Sequence, residues 1–160
     1  MPSVYLETSF VSACVTDRSD ATSVHRRRMS REWWATQASR YDRFMSAEVV
    51  GELRHPNFHR GTLALELVQD IPLLPINEEV RGLARLLVRE KVMPGPVAGD
   101  ALHVSVAAVH RIDYVLTWNV RHLANPSKVT HLKTICLRVG LLPPTLVTPE
   151  MLWEEDHEKN

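Results

Sequence analysis

The chain has 160 residues and a mass of 18.2 kDa, a size at which two independent domains would both be cramped and one domain needs no disulfide or structural metal. It is 44% hydrophobic and 24% charged with 6 Gly and 10 Pro, which excludes a largely disordered chain, a collagen-like chain and a long coiled coil. Lys+Arg and Asp+Glu both number 19, so no overall basic charge announces a nucleic-acid partner, and anion binding must come from local patches.

Cys14 and Cys136 are too few for a secreted disulfide framework or a four-cysteine zinc site. The opening MPSVYLETSF lacks a basic segment leading into a long apolar stretch, and no run reaches about 18 uncharged apolar residues. These features predict a soluble cytoplasmic protein with no membrane segment, one domain over 1–153 and a polar tail over 154–160.

In chain order, Ser3–Leu6 is a short strand and Thr8–Val15 opens a helix. Asp20 caps a long helical segment that runs to about Tyr41, with Val24, Trp33 and Trp34 as inward candidates. Arg43–Ser46 is a second strand, and Ala47–Arg54 a helical turn or two ended by Pro56. Arg60–Gln69 is helix-like. Leu73–Ile76, where Pro72 and Pro75 discourage helix, reads as an edge strand. Asn77 caps a helix whose Val80, Leu83, Ala84 and Leu87 follow the i, i+3, i+4, i+7 pattern. Pro96 suits the first turn of the next helix, which runs to about His110 and is apolar nearly all round, hence central and buried. Ile112–Thr117 is the strongest strand, and the turn over 119–124 is closed by Pro126. Ser127 caps a helix through Val139, and Leu146–Val147 is a last short strand. Strands alternating with helices predict an α/β domain with a mainly parallel central sheet.

In such sheets ligands gather beyond the carboxyl ends of the strands. Glu7 directly follows the first strand, Glu52 lies in the helix after the second, Asp100 opens the apolar helix, and Asn119 stands two residues past Thr117. Three carboxylates and an amide oxygen converging on one sheet edge suit Mg²⁺ or Mn²⁺ and not zinc. Each residue also has a structural explanation. Glu7 suits a helix N-terminus, Asn119 suits a cap, and Glu48 is a solvated neighbour of Glu52. Asp100 on an otherwise buried helix is the hardest to explain without a partner or a metal. Asp113 at a strand start reads as structural, paired with an arginine. His103 shares the face of Asp100 and reads more readily as a satisfied core histidine than as a cleft residue. Trp33 and Trp34 suit a core or dimer contact better than stacking on bases.

The segments YLETSFVSA, SAEVVGEL, GDALHVSVA and YVLTWNVRHL together resemble the four acidic motifs of PIN-domain nucleases, over residues 3 to about 150. The match is best to the VapC-like ribonuclease toxins of bacterial type II toxin–antitoxin pairs. The resemblance implies a three-layer α/β/α fold, Mg²⁺- or Mn²⁺-dependent cleavage of RNA phosphodiesters, a small antitoxin protein that inserts a segment into the cleft, and a homodimer. It implies metal ligation by Glu7, Asp100 and Glu52, with Asn119 offering its carbonyl oxygen or orienting a water, and Thr8, Ser9 and Thr117 orienting the carboxylates. Two positions depart from the family pattern: Glu7 where the first acid is normally Asp, and Asn119 where a second Asp is common. Both changes point to attenuated activity, or a tilt toward Mn²⁺. Basic residues near the site, Arg121 and Lys128, and the pair Arg26 and Arg27, are candidates to hold an RNA backbone. The alternative is a catalytically weakened PIN domain that binds RNA or a protein without cutting. A receiver-like signalling domain would want an Asp after the third strand, which Leu73–Glu79 does not supply, and the glycine fingerprints of nucleotide-binding folds are missing.

Overall fold

Val4, Tyr5 and Leu6 are fully buried, so the first strand is covered on both faces, as a parallel sheet between helices requires. In the computed structural model, which describes residues 1–119, 121 and 125–155, this strand (β1, Ser3–Leu6) is the second of four. It pairs with β2 (Asp42–Phe44) on one side and β3 (Tyr114–Leu116) on the other, and β4 (Thr145–Val147) lies beyond β3. All pairings are parallel, with Tyr5 opposite both Phe44 and Val115.

Helices make every return. α1 (Thr8–Val15) and α2 (Ala21–Thr36) connect β1 to β2. α3 (Ala47–Leu53), α4 (Gly61–Leu67), α5 (Glu78–Arg89) and α6 (Asp100–Val109) lead across to β3, and α7 (Pro126–Arg138) leads to β4. Helices flank the sheet in a three-layer α/β/α arrangement, as the family resemblance implied, and the sheet is parallel, as the alternation of strands and helices predicted. Ala101 through Ala108 of α6 are all buried, which explains its all-round apolar character. Trp33 packs edge-on to Phe10 and stacks on Tyr41, and its indole N–H donates to the Leu152 carbonyl at 2.8 Å. Asp20 and Asn77 cap α2 and α5 by accepting from Ser23 N and Val80 N. Among the described residues no helix is long and apolar enough to cross a membrane.

Several expectations need correction. Leu73–Ile76 forms only an isolated bridge, Leu73 to Met45, because Pro72 and Pro75 have no N–H to extend a ladder. α2 stops at Thr36 and a separate 3₁₀ turn, Ala38–Arg40, precedes β2. Val24 is 40% exposed and does not face the core. α6 begins at Asp100, not near Pro96. Gly99, at φ 103°, stands before it in a backbone region that side chains avoid. α7 is capped by Asn125, not Ser127; the Asn125 Oδ1 accepts from Ser127 N at 3.0 Å and Pro126 takes the first turn. Asp113 accepts from the backbone and hydroxyl of Ser3 and pairs with no arginine among the described residues. The turn expected over 119–124 and the tail expected over 154–160 lie partly outside the described residues.

Candidate active site

The strand order β2-β1-β3-β4 reverses between β1 and β3, so the crevice beyond their carboxyl ends is the topological switch point of the sheet. Glu7 leaves β1 there, with its N–H on the Leu116 carbonyl at 3.1 Å, and Thr117, Trp118 and Asn119 leave β3 beside it. Glu7 is 5% exposed and also caps α1. Its Oε2 accepts from Ser9 N at 2.9 Å, from the Ser9 hydroxyl, and from Thr117 Oγ1 at 2.9 Å. Those hydroxyls are held in turn, since Trp118 N donates to Ser9 Oγ and Asn119 N to Thr117 Oγ1, both at 2.9 Å. Burial nevertheless pushes the Glu7 carboxyl above its usual range, outweighing nearby His103 and the Ser9 and Thr117 donors.

Glu52, near the end of α3, accepts from Thr8 Oγ1 at 2.9 Å and forms an ion pair with His103 Nε2. His103 is fully buried on α6, its Nδ1 hydrogen-bonded to the Tyr5 hydroxyl at 2.6 Å, and Tyr5 meets Ser46 Oγ at 2.7 Å. Burial works against a charged imidazole, but the Glu52 hydrogen bond and the Glu7 and Glu52 charges win, so His103 titrates above its ordinary value. Burial likewise pushes Glu52 up, and the His103 bond and charge bring it below the usual carboxylate range. Burial drives the Tyr5 phenol far up, so it stays neutral and donates. With His103 charged, both ring nitrogens donate, to Glu52 and to Tyr5, and the Tyr5 proton goes to Ser46.

Asp100 opens α6, and both its oxygens accept from Asn119 Nδ2 at 3.0 Å. Asn119 thus presents its NH₂ group, and not its carbonyl, to Asp100. The candidates therefore form three linked groups: Glu7 with Ser9 and Thr117, Glu52 with Thr8 and His103, and Asp100 with Asn119. Among the basic candidates, the Arg26 guanidinium lies 5.4 Å over the Trp118 ring and Arg121 is exposed. Arg27 donates to the Thr16 carbonyl at 2.9 Å, and Lys128 reaches the Val92 carbonyl at 3.5 Å, so both are engaged with backbone.

Solved structures share this architecture. VapC20 of Mycobacterium tuberculosis, a sarcin–ricin loop cleaving toxin, matches with a TM-score of 0.57 at 21% identity, over 76% of this chain and 94% of that one. VapBC2 of Rickettsia felis, solved bound to a DNA fragment from its promoter, gives 0.54 at 13% identity, over 94% and 98%. FitAcB of Neisseria gonorrhoeae gives 0.54 at 14%, over 92% and 98%. The chain has the VapC-like PIN-domain fold. No protein-family model and no curated protein matches the sequence.

On this PIN-type scaffold the donor set is hard oxygen from three carboxylates, the chemistry that Mg²⁺ or Mn²⁺ takes, so the residues fit such an ion in kind. They are not gathered around one point: among the described residues no three Asp, Glu, His or Cys side chains are grouped closely enough to hold a metal. Each carboxylate is instead held by protein donors, which at Glu7 and at Glu52 fall on one oxygen and leave the other as an acceptor. Sequence reasoning missed Tyr5, Ser46 and Trp118 and left His103 as a core residue. His103 is a core residue, and it is also the partner of Glu52. The available signal was chemical, since a phenol in an otherwise apolar buried strand needs a hydrogen-bond partner.

Proposed function

We propose that this protein is a Mg²⁺- or Mn²⁺-dependent endoribonuclease, the toxin of a toxin–antitoxin pair, working in the cytoplasm as a homodimer and restrained by a small antitoxin protein. The observation that carries this reading is that hydrogen bonds tie Glu7, Glu52 and Asp100, each on a different element, to Thr117, Thr8 and Asn119 just past the ends of β1 and β3, at the switch point of a fold shared with a toxin that cleaves the sarcin–ricin loop. One domain over 1–153 carries the whole activity.

Glu7, Asp100 and Glu52 would hold the ion, which when bound lowers the pKa of a bound water and neutralises charge on the scissile phosphate. The chain's own groups have separate tasks. Ser9 and Thr117 fix the Glu7 carboxylate, Thr8 and His103 fix Glu52, and the Asn119 amide fixes Asp100. Arg26 and Arg121 meet the RNA backbone and position it.

A second reading, an RNA- or protein-binding module with little turnover, draws on the Glu52–His103 ion pair, which neutralises one of the three carboxylates from within. The two separate in one experiment. The partner-free protein is incubated with structured RNAs in Mg²⁺, Mn²⁺ or EDTA, beside an Asp100→Ala control. Metal-dependent cutting that vanishes in the control supports the enzyme; no cutting by folded protein in either metal favours the binding module.

A further inference from the structure

A cleft of about 520 Å³ opens beside the carboxylates, within the size range of small-ligand sites at roughly 300–1,000 Å³. Ser9, the residue whose hydroxyl touches Glu7, is among its lining residues. So are His59 and Asp17, which meet at 2.9 Å through His59 Nε2 and join the loop after α1 to the loop before α4. Three arginines line the cleft from three separate segments: Arg18 from the first of those loops, Arg26 from α2 and Arg60 from the start of α4. Asp17 is the one acid among the described lining residues, and it is already committed to His59, whose hydrogen bond holds it below the usual carboxylate range.

Two of the arginines are held in place before any ligand arrives. Arg26 lies over the Trp118 ring, and Trp118 is fixed by its indole N–H on Ser30 Oγ at 2.8 Å. Arg60 spends its Nε on the Val15 carbonyl at 2.9 Å, which leaves its four terminal N–H groups for another acceptor. The guanidinium fork matches two oxygens of a phosphodiester, and a fork already fixed loses little freedom on binding one. Half-buried Phe58 adds an aromatic face in the same cleft, where a base can stack. The remaining walls are mostly hydroxyl and amide groups, which suit a sugar–phosphate chain better than an apolar peptide.

We propose that this cleft is a binding subsite for the RNA strand flanking the scissile phosphate, with Arg18, Arg26 and Arg60 on successive phosphodiesters and Phe58 beneath a base. The assignment rests on the ribonuclease reading for the identity of the strand, but it is tested without catalysis. The full-length protein in EDTA is titrated with a fluorescent 2′-O-methyl RNA of about 12 nucleotides, and anisotropy is followed across a salt series. For single strands each phosphate contact adds about 0.7 to the slope of log K against log[salt], so Arg18→Gln should lower the slope by about 0.7 and Arg18→Gln/Arg26→Gln by about 1.4. Affinity at low salt should fall at least several-fold in the single variant and further in the double. A 4-thiouridine analogue should cross-link to Phe58 or His59.

Arg18 is exposed and its side chain donates no hydrogen bond among the described residues, so Arg18→Gln stays informative even if Arg26→Gln fails to fold. Wild-type slopes in both variants, cross-links confined to other segments, or an oligoglutamate peptide that binds where RNA does not would each overturn the proposal. The last outcome would give the cleft to an acidic protein partner. RNA binding as expected without metal-dependent cutting overturns the ribonuclease reading and keeps the subsite. Metal-dependent cutting with Arg18→Gln/Arg26→Gln equal to wild type does the reverse.

Discussion

Replacing His103 by Phe perturbs the candidate site at its most buried point. The ring volume is nearly kept, so the change removes two nitrogen partners with little cavity. Tyr5 retains its 2.7 Å bond to Ser46, and Glu52 retains Thr8 at 2.9 Å. Stripping one partner from a fully buried ion pair costs about 3–5 kcal/mol. The Glu52 side chain is 39% exposed and rehydrates, so the loss shrinks toward that of a single charge-assisted hydrogen bond, about 1.5–3 kcal/mol. At about 2–4 °C per kcal/mol for a chain of this size, the midpoint of thermal unfolding should drop by about 3–12 °C near neutral pH.

The pH profile is the sharper readout. His103 is raised in the folded state, so its contribution is complete below its unfolded pKa of about 6.5 and fades as pH climbs through the folded value. Glu7 is raised as well, and ionising it costs stability over a window that begins at its unfolded pKa of about 4.3. Glu52 is lowered, so its contribution is present above about 4.3 and is lost in acid. Urea unfolding of wild type from about pH 2.5 to 9 should therefore show an acid limb below about pH 4.3 and stability declining on the alkaline side. In His103→Phe the acid limb from Glu52 should flatten. The Glu7 limb should steepen, because the positive charge that restrained Glu7 has gone. A variant with wild-type stability and an unchanged profile would mean that His103 is neutral in the folded protein, and the ion pair would fall with it.

Further outcomes test other parts of the structure. Glu7→Gln should abolish RNA cleavage yet raise stability at about pH 8 by about 1–3 kcal/mol, since the unfolded Glu7 carboxyl is ionised at that pH, burial disfavours the ion, and the amide keeps an oxygen for the Ser9 and Thr117 donors; an unstabilised variant in metal-free melts would refute the cost assigned to burying that carboxyl. Gly61→Ala places a Cβ 2.3 Å from the Leu53 carbonyl oxygen and should cost at least about 1–3 kcal/mol, whereas Gly51→Ala, with nothing within 4 Å, should gain about 0.5–1 kcal/mol by urea unfolding. Asn119→Asp replaces an amide donor by a second carboxylate against Asp100, so the metal-free melting temperature should fall and the upward shift on adding Mn²⁺ should grow; equal Mn²⁺ shifts in variant and wild type would argue against ligation at Asp100.

Elements fixed by local chemistry were legible. Thr8–Val15 is a helix over the expected residues, and Val80, Leu83, Ala84 and Leu87 are all buried as their spacing requires. Leu73–Ile76 failed because an apolar run between prolines does not reveal whether a neighbouring strand continues beside it, and Met45 pairs with it only once. Asn125 was passed over as the α7 cap because Ser127 is an equally good capping type two residues on, and only geometry decides. Glu7 and Asn119 stand just past the ends of β1 and β3 and Asp100 opens α6, positions that the order of apolar runs in the sequence already marks. The Tyr5–His103–Glu52 chain did not, because it joins residues 98 and 51 positions apart and depends on how α3 and α6 sit over β1. No periodicity encodes that.

The same buried network explains why the site stands where it does. Tyr5 and His103 are fully buried, on an interior strand and on the buried helix α6, and their polar atoms lead outward to the partly exposed Glu52 carboxylate. Glu52 is therefore aimed by the core itself and not by a loop. Glu7 is held by backbone-anchored hydroxyls but has no cation in contact among the described residues, only the nearby charge of His103, and it keeps a raised pKa in spite of three donors to one oxygen. A fold selected for stability alone would fill that position with an apolar residue or an amide. The Glu7 charge, opposed by burial in spite of its donors, is one that an added cation would favour, which is the physical sense of the proposed Mg²⁺ or Mn²⁺ ligation.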